Sequence, residues 1–202
     1  MSPTRRSLVL AAPAIGLLPG LALAQGNDPR LAERSAGKAD AQATVIEYFS
    51  LTCSHCANFH KTVWPEVKSR LVDTGKVRMV WRDFPLDQLA LAAAMVARSL
   101  PAERYEGFVG ALFSSQDRWA FARGADNMGE IAKIAALAGM SRADVDKALQ
   151  DQALQRSILE SRMKAQQEFN VNSTPTFVFN NKPQPGEVTF DRFVQLAGVS
   201  AG

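Results

Sequence analysis

The chain has 202 residues, of which 23 are basic and 20 acidic, giving a formal charge of +3, and 47% are hydrophobic. It is long enough to bury a core of its own, and its charge is too evenly balanced to give an electrostatic reason for a nucleic-acid partner. Only two cysteines occur, Cys53 and Cys56. A bridge between them closes almost no loop and constrains the unfolded chain little, so their value lies in chemistry rather than in stapling.

Residues 1–24 read as an export signal. Arg5 and Arg6 form a basic start, Leu8 to Leu23 is almost wholly apolar, and Ala22-Leu23-Ala24 is a small-x-small cleavage site. Pro13, Gly16, Pro19 and Gly20 interrupt the apolar stretch, which falls short of the roughly 20 residues that span a bilayer. Thr4-Arg5-Arg6-Ser7-Leu8-Val9 also fits a twin-arginine signal, while two arginines serve the general secretory route equally well. Either route leads out of the cytoplasm, and removal of the segment leaves 21 basic against 20 acidic residues. Residues 25–43 are polar and rich in small side chains, which predicts a flexible N-terminal arm.

Thr44 to Phe49 is β-branched and aromatic, a buried strand. Cys53-Ser54-His55-Cys56 follows, opening a helix whose apolar face carries Cys56, His60, Val63, Trp64, Val67 and Leu71. Pro65 falls inside that helix and should kink it. Val77 to Arg82 predicts a second strand, stopped by Phe84-Pro85. From Leu86 to Phe169 the pattern is helical almost throughout, with one clear start where Ser141 caps, Asp144 stands three residues on and Met140 can staple to Val145. Thr176 to Phe179 restores the strand signal. Asn181-Lys182-Pro183 and Pro185-Gly186 read as turns, Glu187-Val188 as a short strand, and Phe190, Phe193, Val194 and Ala197 as one face of a last helix.

The order β-(CxxC)-α-β, helices, β-β-α predicts an α/β protein in which a helical domain (86–169) interrupts a second unit made of 44–85 and 170–202. Two separate domains would leave the second half of the sheet without parallel neighbours. A CxxC between a buried strand and a helix puts the first sulfur at the helix N-terminus, where free N–H groups and the dipole stabilise a thiolate. Cys53 should then be the exposed nucleophile and Cys56 the buried partner. His55, between them, favours the thiolate form and with it an oxidising couple. The other chemistry open to these residues is metal binding, copper or zinc, with Cys53, Cys56 and His60, and His55 as a further ligand. Trp64, Trp81 and Trp119 read as core or surface aromatics, and His60 as packing or surface.

Val45 to Cys56, together with Thr174-Pro175-Thr176-Phe177 near the end, resembles the DsbA family of bacterial disulfide oxidoreductases. The resemblance covers essentially all of the chain beyond residue 24 and implies a thioredoxin-like fold carrying the helical insertion. It implies that Cys53 forms mixed disulfides and Cys56 resolves them, that His55 tunes the couple, and that Glu47 is a buried acid moving protons to or from Cys56. Taken alone, Glu47 reads first as a solvated strand-edge carboxylate. Pro175 would be held cis beside the disulfide, with Thr174 offering backbone groups to an extended substrate. No cofactor beyond the Cys53–Cys56 disulfide and no metal is implied. The implied setting is the periplasm, with reduced exported polypeptides as substrates and a membrane partner of the DsbB type; a monomer is expected in preference to an oligomer. Ser54 stands where most oxidases of the family have proline, and Thr174 also occurs in reductases and isomerases. Isomerases of this superfamily usually carry an N-terminal dimerisation domain, for which residues 25–43 are too few.

Overall fold

A computed structural model describes residues 28–201; the predicted export signal, residues 1–24, lies outside the described residues. A 3-10 turn at Pro29–Leu31 opens them. Strand β1 (Arg34–Ala36) and strand β2 (Ala43–Phe49) follow, then helices α1 (Ser54–Thr62) and α2 (Trp64–Val67), a π-helical turn (Lys68–Val72) and strand β3 (Val77–Asp83). Helices α3 (Gln88–Arg98), α4 (Ala102–Ser114), α5 (Gln116–Trp119), α6 (Asn127–Leu137), α7 (Arg142–Leu149) and α8 (Gln152–Phe169) come next. Strands β4 (Thr176–Phe179) and β5 (Lys182–Pro185) and helix α9 (Phe190–Ala197) complete the chain. Among the described residues the strands form one sheet in the order β1-β3-β2-β4-β5. Among the described strands only β2 and β3 run parallel. The pairing of β4 with β2 joins the two halves of the chain, and helices α3 to α8 lie between them in sequence.

Strand alternation places the site. Val45 and Phe49 of β2 belong to the main core beneath α1, while Tyr48 joins a smaller cluster with Phe84, Ala165, Val171 and Val178 on the other face. Glu47 shares the period-two face of Val45 and Phe49 and is therefore carried under α1. Trp64, Trp81 and Trp119 are all buried.

Three expectations need correcting. Part of the arm expected over 25–43 is ordered sheet: β1 pairs antiparallel with β3, and Arg34 is buried. Gly37 then turns back with φ +97°, so close to β3 that a Cβ would meet the Val77 oxygen at 2.6 Å. A three-residue edge strand reading Arg-Ser-Ala carries no hydrophobic alternation, so the pattern had nothing to report. The last strand is Lys182–Pro185 rather than Glu187-Val188. Asn180 and Asn181, at φ 48° and 62°, form the two-residue turn, and two prolines are tolerated because β5 is an edge. Finally, the helix after the CxxC does not run through with a kink: it breaks at Val63 and restarts as α2 with Pro65 in its first turn, where a missing N–H costs nothing.

Candidate active site

Cys53 is the N-cap of α1. Its backbone is extended, and its sulfur accepts the Cys56 N–H at 3.4 Å. Both cysteines are free thiols. Cys53, expected to be exposed, is itself buried at 8%, and Cys56 is at 0%. Their surroundings pull them in opposite directions. A hydrogen bond from the Cys56 thiol, with others from the Thr174 side chain and the Cys56 and His55 N–H groups, holds the Cys53 thiol down at about 5 despite partial burial. Burial pushes Cys56 well above the usual thiol range, helped by its bond to Cys53 and by the nearby charge of Glu47. Opposite shifts three residues apart are what thiol–disulfide exchange needs: an ionised sulfur to attack or leave, and a protonated one behind it.

The Thr174–Pro175 peptide bond is cis. The Cys53 thiol donates to the Thr174 carbonyl at 3.2 Å, and the Thr174 hydroxyl, buried beside it, has no other hydrogen-bond partner. Pro175 in turn accepts the Gly186 N–H at 2.8 Å, which ties the loop after β5 to the same corner.

His55 is exposed and turns toward that loop. Its Nδ1 pairs with Glu187, whose other oxygen accepts from the Asn58 side chain. The hydrogen bond and charge of Glu187 raise the imidazole's pKa, and the charge at Cys53 adds to the effect. Glu187 was legible only as a strand residue, because its partners lie far upstream in the chain. Ser54 is exposed and makes no side-chain bond to Cys53.

Glu47 is fully buried at 0%, which overturns the reading as a solvated edge carboxylate. One of its oxygens accepts from His60 Nε2 at 3.0 Å, and the other has no partner. His60, expected only to pack or face solvent, is thus a buried polar partner. It lies 4.6 Å from the Phe113 ring, centroid to centroid. No group of three or more His, Cys, Asp or Glu among the described residues could hold a metal ion. Gln116 is a second group that sequence alone did not single out. Its amide, 4% exposed, donates to the backbone oxygens of Leu51 at 2.7 Å and Cys53 at 3.1 Å, gripping the active-site loop from above.

Residues 30–196 match the family model described as Thioredoxin. The chain belongs to the thioredoxin family. Within it the chain is DsbA-like: it superposes on the crystal structure of Wolbachia pipientis alpha-DsbA1 with a TM-score of 0.76 and 29% identity, over 82% of this chain and 89% of that one. A Rickettsia bellii protein named as a protein-disulfide oxidoreductase is 28% identical over 71% of this chain and 55% of its own length, so the chain spans about half the length of the curated relatives it matches. Oxidised BdbD from Bacillus subtilis, at 18% identity and a TM-score of 0.72 over 82% of this chain and 91% of its own, shares the fold. No described helix of this thioredoxin-family chain is long and apolar enough to cross a membrane.

Proposed function

We propose that the protein is a thiol–disulfide oxidase of the DsbA type, donating the Cys53–Cys56 disulfide to reduced exported polypeptides in the periplasm. Cys53 accepts the client sulfur, Cys56 leaves and later resolves, and His55 and Glu47 tune the couple and its protons. Thr174 and Pro175 present backbone to the client. The reduced centre is then reoxidised by a membrane partner of the DsbB type, after export directed by residues 1–24. In this reading a thioredoxin-like unit (44–85 and 170–202) carries the centre, and the helical insertion (86–169) covers it. The disulfide itself is the only redox group required.

The observation that carries the reading is Cys53 at the N-cap of α1, its sulfur accepting the Cys56 N–H at 3.4 Å and its thiol held at about 5. Each unit by which a thiolate is favoured stabilises the reduced form over the disulfide, and so makes the disulfide the stronger oxidant. Thr174 favours a second reading, a reductase or isomerase kept reduced by a membrane donor. Equilibrating the purified protein with glutathione separates the two. The oxidase reading expects the centre to stay reduced in a largely oxidised glutathione buffer; a potential near that of cytosolic thioredoxin, about −270 mV, would overturn it.

A further inference from the structure

When a client thiolate attacks Cys53 Sγ, the Cys53–Cys56 bond breaks and its electron pair goes to Cys56 Sγ. That sulfur is fully buried, and a bare thiolate there is a poor leaving group. Exchange therefore calls for a proton delivered to Cys56 from inside the fold. Solvent does not reach it directly, and the acid near it, Glu47, is itself sealed from water.

We propose that His60 is the proton-relay partner of Glu47, linking the buried centre to solvent through the groove between α1, α2 and α4. Three observations meet here. Glu47 binds His60 through one carboxylate oxygen at 3.0 Å, while its other oxygen is buried and unpartnered. The His60 side chain is only 5% exposed, yet it lines a cavity of about 410 Å³ shared with Trp64, Gly110 and Phe113. That cavity is walled by Lys61 and Lys68 from one side and Glu106 from α4 on the other, with Lys61 exposed, so it reaches the surface. Glu47, Lys61, Lys68 and Glu106 are the charged groups that face the imidazole from β2, α1, the π-helical turn and α4.

The step balances. As the disulfide is reduced, Cys56 takes up one proton by way of Glu47, which receives it from His60, and His60 is replenished through the groove. The client dithiol ends as a disulfide, and its last proton goes to solvent. Cys53 leaves the mixed disulfide as a thiolate and needs none. Reoxidation runs the relay outward. His60 touches neither sulfur and acts only through Glu47, as a positioning residue. The inference rests on the exchange reading of the preceding section.

The test is single-turnover reduction of the oxidised protein by dithiothreitol. His60→Gln keeps an N–H for Glu47 but cannot relay a proton, and it should slow reduction about tenfold or more, since positioned proton donors contribute ~10²–10⁴-fold. Glu47→Gln should slow it as well, and the double variant should be no slower than Glu47→Gln alone, because the two residues act as one unit. In His60→Ala, added imidazole should restore the rate, and pyrrole, a ring of the same size without a basic nitrogen, should not. A His60→Gln rate within about twofold of wild type, or equal rescue by both rings, would overturn the relay. If wild type itself fails to exchange with the dithiol, the exchange reading falls first and the relay with it.

Discussion

Between about pH 5, where Cys53 ionises, and the far higher pH at which buried Cys56 does, the reduced centre holds one thiolate and one thiol. Two-electron reduction in that window takes up one proton, so the potential should fall by about 30 mV per pH unit, steepening to about 59 mV below the Cys53 midpoint. The same shift bears on stability. Cys53's folded value lies below its unfolded one, so its stabilisation of the reduced protein is complete above the ordinary thiol value of 9.0 and gone below about 5. At pH 7 it amounts to about 3 kcal/mol. The oxidised protein has no thiol to titrate there. Potentials measured across this range, with thiolate absorbance locating the break, check the assignment; a single slope throughout would contradict it. The cysteine asymmetry was legible in the sequence because a helix N-terminus and one further turn are local facts. Glu187 on His55 and His60 on Glu47 were not, since each pair is made by tertiary packing.

At the level of elements, what anchors the loop before α1 is contributed from elsewhere. Thr52 donates to Asp87 at 2.7 Å, and Asp87 also caps α3 through the Ala90 N–H at 2.7 Å. Gln116, from the short helix α5, satisfies the Leu51 carbonyl. Gln116→Leu should leave that buried carbonyl unpaired, costing about 1–3 kcal/mol. Urea unfolding should report this loss, and an unchanged midpoint would show that the loop does not depend on the insertion. Caps and amphipathic faces were readable: Ser141 accepts the Asp144 N–H as the spacing predicts, and α9 ends at Gly198 with φ 70°. Strands β1 and β5 were not, because one is too short to alternate and the other is built from Lys-Pro-Gln-Pro, a composition that reads as turn unless a neighbouring strand supplies the edge.

Across the whole molecule, a thioredoxin-like sheet assembled from distant stretches brings three loops to one corner: the CxxC turn, the cis-proline turn and the segment holding Glu187. The element order was enough to expect this closure, since β4 pairs with β2 only if the intervening helices form an insertion. What ties the N-terminal segment down was not visible in advance. Arg98 donates to Asp83 at 2.6 Å and to the Ala32 carbonyl at 2.9 Å, while Arg34 donates to the Arg98 carbonyl at 3.2 Å. These are buried charges paired across three elements, with no local pattern to announce them. All of this architecture serves one claim, that Cys53 is the attacking and attacked sulfur. The direct measurement is trapping with Cys56→Ala, incubated with a reduced, unfolded substrate and oxidised glutathione, then resolved without reductant. Mixed disulfides that form through Cys53 and vanish in the Cys53→Ala, Cys56→Ala double variant are the predicted result; a Cys56→Ala protein that forms none, while still folded, would contradict the account.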